Sequence, residues 1–270
     1  MNAQVKVVPQ GKGISAMNVE GVPVADAKVF VNGEAVPYDP VFFQYRLQKD
    51  TPAPFDLRIE HPTQGSIHIP QFFYDSDKVY LLAGSAASIW QNGVRIPVLP
   101  ATDAYYLTLK NQHQHSEAEQ ADCDRQIETW TSALQGKVQR VLMGDEDEVC
   151  YRKLTVAGKA DGLVAEMEAR ESVDFIGPLL HLPLQDHLPA GLTNKVEIKF
   201  LPGTQQAEID ALVQEMNLVD LQSTPSSDGP NISARFNAPA GWDLLPKVTQ
   251  LNARDNIRFA NHVLMIQVTH

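Results

Sequence analysis

The sequence predicts an α+β protein: a β-rich N-terminal third, then two units of strand–helix–strand–strand–helix–strand order. Three observations carry this. Short alternating strands bounded by Gly, Pro and Asn fill residues 1–85. Apolar stripes at helical spacing follow downstream. The order of strands and helices there occurs twice over.

In the first part, Ala27-Lys28-Val29-Phe30-Val31 reads as a strand ending at Asn32-Gly33. That dipeptide favours a type I′ hairpin, because both central residues need positive φ. In PFDLRIEH, Phe55, Leu57 and Ile59 fall on one face and Asp56, Arg58 and Glu60 on the other. This is the period-two pattern of a half-buried strand. SIHIPQFFY and KVYLLAG add two runs, and the set reads as a small β-sandwich over 1–85. Asn92-Gly93 marks a further hairpin, a two-stranded connection into the next unit.

The first repeated unit spans 86–186. Tyr106 to Leu109 opens it, and Cys123, Ile127, Trp130 and Leu134 mark a helix. Val138–Leu142 and Val149–Val156 are strands flanking the acidic run Asp145 to Glu148. Leu163, Val164 and Met167 mark a second helix, and SVDFIGPLLHLP closes the unit. The second unit, 187–270, is clearer. Val196, Ile198 and Phe200 share a strand face, Pro202-Gly203 turns the chain, and Thr204 is positioned as helix N-cap. Ile209, Leu212, Val213 and Met216 fall at i, i+3, i+4, i+7. A short strand at 218–221, the loop TPSSDGP, the strand NISARFNA and a stripe of Trp242, Leu245, Val248 and Leu251 follow. IRFANHVLMIQV ends the unit. This order is the ferredoxin-like one, an antiparallel four-stranded sheet with both helices on one face. The uncovered face calls for a partner, or for packing between the copies.

Composition narrows function. Hydrophobic residues make up 43% and charged residues 20%, as in soluble globular proteins. A net charge of −11, with no Lys/Arg cluster, argues against nucleic-acid binding. No apolar run reaches membrane-span length, so no membrane insertion is expected. The N-terminal stretch has no apolar core of signal-peptide length, which leaves a cytoplasmic chain or one written without its leader. Cys123 and Cys150 lack zinc-ligand spacing and read as two buried thiols, a disulfide staying open for an exported chain.

LTNKVEIKFLPGTQQAEIDALVQEMNLV resembles the N-terminal part of subtilisin-family propeptides of the fervidolysin-like type. The shared features are the strand V-E-I-K-F, the turn L-P-G-T, the helix E-I-D-A-L-V and the N-L-V entry to the next strand. A Pro-Ala-Gly turn before a helix, then DNIRFANHV, stand where that family has its second half. The resemblance covers residues 192–270, and 104–182 by pattern. GVPVADAKVFVNG is similar, over a strand or two, to carboxypeptidase-regulatory or prealbumin-like repeats, which implies a spacer or adhesion module. Together these imply a β-sandwich followed by two ferredoxin-like βαββαβ propeptide-like units.

In the propeptide family the open sheet face docks on the protease, and the C-terminal tail lies in the active-site cleft. The resemblance therefore implies a non-catalytic chaperone- or inhibitor-like binder of a subtilisin-like protease, in an exported or envelope setting. Its docking surface would be the sheet of 194–260. Its tail would run from about Asn261 to His270, opening with Asn261, His262, Val263, Leu264 and Met265. The chain itself has no Asp-Ser/Thr-Gly, His-Gly-Thr or Gly-Thr-Ser signature, and Gly13-Ile14-Ser15-Ala16-Met17 is no nucleophile elbow. No catalytic, metal or cofactor residues are expected. His113 and His115 lack a third ligand, and the carboxylates Glu166, Glu168, Glu171 and Asp174 read as a solvent face. The alternative is a structural subunit of a bacterial or phage assembly, with the open sheet faces as subunit contacts. A hydrolase with an unrecognised site is the third reading. An accessible C-terminal tail would favour the inhibitor, and a tail paired into a sheet the assembly subunit.

Overall fold

The computed structural model describes residues 6–7, 12–48, 51–82, 87–109, 117–141, 151–156, 162–183, 190–237 and 244–266. It is a strand-rich α+β structure. The N-terminal part comprises β1 (Lys6–Val7), β2 (Gly13–Met17), β3 (Lys28–Val31), β4 (Glu34–Val36), β5 (Tyr38–Asp39), β6 (Gln44–Arg46), β7 (Pro52–Ala53), β8 (Phe55–His61), β9 (Gly65–Phe72) and β10 (Lys78–Tyr80). Two four-stranded sheets, ordered β10-β2-β6-β5 and β4-β3-β8-β9, share one core. Ile14 and Tyr45 come from the first sheet, Val29, Leu57 and Ile59 from the second. The alternation read in PFDLRIEH is the cause: Phe55, Leu57 and Ile59 are all buried. Asn32 and Gly33 both have positive φ at the β3–β4 turn, as the dipeptide predicted.

β11 (Ser88–Gln91) and β12 (Val94–Pro97) form a separate two-stranded hairpin around Asn92-Gly93. The larger sheet begins with β13 (Leu99–Leu109), followed by α1 (Glu117–Trp130), a 3-10 turn, β14 (Lys137–Val141), β15 (Tyr151–Thr155), α2 (Leu163–Glu168) and β16 (Val173–His181). Then come β17 (Ala190–Phe200), α3 (Gln206–Glu215), β18 (Leu218–Thr224), β19 (Asn231–Phe236), α4 (Leu244–Asn252) and β20 (Ile257–Ile266). Strand order in the first set is β14-β15-β13-β16, and in the second β20-β17-β19-β18. Every pair within them is antiparallel. The sets fuse into one sheet where Leu179 and Leu180 of β16 pair with Gly191 and Ala190 of β17.

The helical stripes fill the cores. Ile127, Leu163 and Met167 pack with Tyr105, Leu107 and Ile176. Ile209, Leu212, Val248 and Leu251 cover Val196, Ile198 and Phe200. α3 starts one residue later than Thr204 predicted. Gln205 is the N-cap, and its backbone N–H donates to Glu208 Oε2 at 2.8 Å. The Thr204 hydroxyl instead donates to the Leu201 carbonyl at 2.8 Å, bracing the preceding turn. Cys123 lies in α1; Cys150, the acidic run, His113, His115 and Trp242 fall outside the described residues.

The helix-free face of the first set is not open. Ala104, Tyr106, Phe175 and Leu179 are buried in the same cluster as the α3–α4 core. Between β17 and β19 the helix-free face of the second set is polar. Residues opposite each other across antiparallel strands share a face. The pairs Lys195–Arg235, Glu197–Ser233 and Lys199–Asn231 therefore line one side. Arg235 there holds Asp174 at 2.7 Å and Asp220 at 2.8 Å. No helix among the described residues is long and apolar enough to cross a membrane.

Candidate functional site

The five residues expected to open a tail, Asn261 to Met265, form the second half of β20. Asn261 pairs with Glu197, His262 with Val196, Leu264 with Leu192 and Met265 with Gly191. The paired segment runs to Ile266, so what was expected as an extended tail is a ladder strand up to that point. Asn261, His262 and Met265 are buried, and Val263 and Leu264 half-buried. Ile257, Ala260 and Met265 reach the main core, their odd and even positions brought to one side by register shifts in the β17–β20 ladder.

Two of these side chains hold another element. The Trp90 N–H donates to His262 Nδ1 at 3.0 Å, and the Asn92 N–H donates to Asn261 Oδ1 at 2.6 Å. Trp90 Nε1 donates to Thr249 Oγ1 on α4 at 3.0 Å. Side chains of β20 thus satisfy two backbone donors of the β11–β12 hairpin that a neighbouring strand would otherwise take, and α4 accepts from the indole. With Nδ1 accepting, the neutral ring carries its proton on Nε2. Burial pushes the His262 pKa down to about 4.

Beside this junction lies a cleft of about 730 Å³. One wall is β9 and its continuation to Phe73; the other is the Asn92-Gly93 turn with Arg95 and the segment 252–258. At one end Arg258 spans the two parts of the molecule. Its Nε donates to Asp75 Oδ2 at 2.8 Å and its Nη2 to Asp75 Oδ1; Nη1 donates to Asp228 Oδ2 at 3.2 Å. Its guanidinium lies 4.8 Å from the centre of the Phe73 ring. Lys199 Nζ also reaches Asp228, at 2.6 Å. Hydrogen bonds from Lys199 and Ser226 hold the Asp228 pKa near 2, against the opposing pull of desolvation.

Arg95 Nε and Nη2 donate to Ser88 Oγ at 3.0 and 2.6 Å, and no carboxylate among the described residues pairs with it. Arg254 is bound to Glu215. Asp255, also on the lining, has no ionic partner among the described residues.

One constellation has the atoms of a catalytic triad. Asp26 Oδ1 lies 3.0 Å from His61 Nε2, and Thr63 Oγ1 lies 3.3 Å from Nδ1. Nδ1, however, already accepts the Thr63 and Gln64 backbone N–H groups at 3.2 and 3.0 Å. Its lone pair closes a turn and is committed there, which deprives the ring of the base role. Among the described residues no three His, Cys, Asp or Glu side chains are placed to hold a metal ion.

A second surface feature sits at the tip joining β5 and β6. Val41, Phe42 and Phe43 are 74%, 58% and 59% exposed. The Val41 N–H donates to Asp39 Oδ1 at 2.9 Å, and the Arg46 guanidinium lies 4.8 Å from the centre of the Phe42 ring. Phe43 has φ +54°, a region bulky residues avoid. Sequence reasoning missed both the tip and the cleft. The tip carried a signal: the apolar run Val41-Phe42-Phe43 directly after Asp39-Pro40, where a turn is expected. The Arg258–Asp75 pair carried none, since 183 residues separate its members.

No protein-family model matches the chain, and no curated protein matches it. Among solved structures it is similar to the acetolactate synthase small subunit from Thermotoga maritima, at 12% identity. That likeness covers 62% of this chain and 98% of the other, with a TM-score of 0.22. Similarity of that size says nothing about function.

Proposed function

We propose that the chain is a non-catalytic protein-binding subunit of a larger assembly, built as a β-sandwich followed by two fused ferredoxin-like units. The architecture rests on the two N-terminal sheets sharing a core and on the same strand order, fourth-first-third-second, recurring in both sets. The observation that carries the function is the pairing of β20 through Ile266. A propeptide-like inhibitor needs an accessible strand to lie in a protease cleft, and here the segment as far as Ile266 is paired to β17 with Asn261, His262 and Met265 buried, residues 267–270 lying outside the described ones. What the surface does offer is the aromatic tip at Val41 to Phe43. Exposed apolar residues grouped on a strained turn cost stability, and a partner that covers them recovers it.

The test is cross-linking mass spectrometry on the native chain recovered from the cells that make it. Cross-links from the neighbourhood of residues 39–46 to another polypeptide are expected. Recovery as a monomer without such links overturns the reading. So does stoichiometric inhibition of a subtilisin-like protease by the purified chain.

A further inference from the structure

We infer that the cleft between β9 and the β11–β12 hairpin takes an extended peptide segment, which adds as a strand to the open edge of β9. This inference rests on reading the chain as a binding module, and it names what one of its surfaces holds. Three features converge.

The first is the edge itself. β9 ends its sheet, and among the described residues it pairs with β8 alone. Alternate residues of an edge strand point N–H and C=O groups away from the sheet, and those groups seek partners. The second is containment. Residues Ser66 to Phe73 line the cleft without a break, so the edge faces a trough with an opposite wall. An open edge facing bulk solvent is an aggregation hazard; one inside a trough of ligand-binding size admits a single strand. Main-chain pairing at such an edge gives affinity, while flanking pockets select side chains. Pro70 has no N–H and bounds the pairing stretch to Gly65–Ile69, about 17 Å of strand at ~3.3 Å per residue.

The third is charge. Asp75, Arg254 and Arg258 on the lining are used in internal ion pairs. Among the described residues, Arg95 and Asp255 are not. An extended peptide with one acidic and one basic side chain meets both, and the two charges fix its direction along the trough. Trp90 and Phe73 on the lining supply apolar contact for side chains between them.

The experiment pans a random-peptide phage library against the full chain and synthesises the best-enriched peptide. Affinity is followed by fluorescence anisotropy. Two N-methylated versions are compared, carrying methyl groups on alternate amides in the two complementary registers. Strand addition uses only every second N–H of the peptide. One register is expected to weaken binding by about tenfold or more and the other hardly at all. The Arg95→Glu protein is expected to lose the preference for the acidic side chain while keeping its thermal midpoint. Equal weakening in both registers, absence of any enriched peptide, or an unchanged acidic preference in Arg95→Glu overturns the inference. None of these results bears on cross-links at the Val41–Phe43 tip, so failure here and failure of the assembly reading are told apart.

Discussion

The imidazole of His262 accepts a hydrogen bond from the backbone N–H of Trp90, 172 positions earlier in the chain, at 3.0 Å. This bond ties the hairpin that follows the β-rich part to the last strand of the large sheet. It requires a neutral ring.

A pH dependence follows from that requirement. The folded-state pKa of His262 is lowered from 6.5 to about 4. Between those values the unfolded chain binds a proton that the folded chain does not, so stability rises with pH. The contribution is full above about pH 6.5 and is lost as pH falls toward 4, amounting to at most about 3 kcal/mol. Urea unfolding of wild type and His262→Gln at pH 7 and pH 4.5 is the check. The variant is expected to be less stable at pH 7 and to show a smaller loss on acidification. Equal losses in both proteins would sink the assignment.

Arg258 is the strut on the other side of the same junction. Its side chain is 9% exposed and that of Asp75 16%, so truncation takes a bidentate cationic donor from a largely buried carboxylate. Arg258→Ala is expected to cost about 3 kcal/mol in urea unfolding. Arg258→Lys is expected to recover only a small part, because an ammonium cannot form the fork to Asp75 while lying flat on Phe73. Full rescue by lysine would reduce the role to bare charge.

Gly229 tests the loop that carries Asp228. Its φ is +112°, and a Cβ there would lie 2.1 Å from the Phe200 carbonyl oxygen. Both the dihedral and the contact forbid a side chain, and the obstacle is backbone, which cannot swing aside. Gly229→Ala is expected to destabilise by roughly 2–4 kcal/mol. Thermal unfolding measures this, and a loss below about 0.5 kcal/mol, the range of neutral surface substitutions, would contradict it.

How much of this was readable in the sequence differs between local and long-range features. The Phe55–Leu57–Ile59 alternation, the Asn-Gly turns and the Ile209–Leu212 stripe are set by neighbours along the chain, and each was legible. The order of strands and helices in the large sheet was legible too; the joining of the two sets through β16 and β17 was not, since it depends on a pairing of only two residues on each strand. The fate of Asn261 to Met265 did not. A strand of mixed polar and apolar residues reads the same whether its edge is bare or roofed by another element. Here the roof is a hairpin 169 and 172 residues upstream, joined through side chains. The cleft was illegible for the same reason, since its walls belong to segments far apart; Pro70 inside SIHIPQFFY marks β9 locally as an edge strand but says nothing of what faces that edge.

Phe43 links stability to binding. Its φ of +54° costs a non-glycine residue about 1–2 kcal/mol, and its ring is 59% exposed, so little burial offsets that cost. Glycine at this position removes the strain but adds chain entropy on unfolding, which cancels part of the gain. Phe43→Gly is therefore expected to raise stability by about 0.5–1 kcal/mol. The same substitution removes an exposed aromatic ring from the tip, so the partner contact detected by cross-linking is expected to weaken. Phe42→Ser, at a residue without positive φ, is expected to weaken that contact with no gain in stability. Urea midpoints and cross-link yields on the two variants separate the effects. If Phe43→Gly gains stability and keeps the full contact, the strain at this position serves no partner, and the tip is not the surface through which the chain is held.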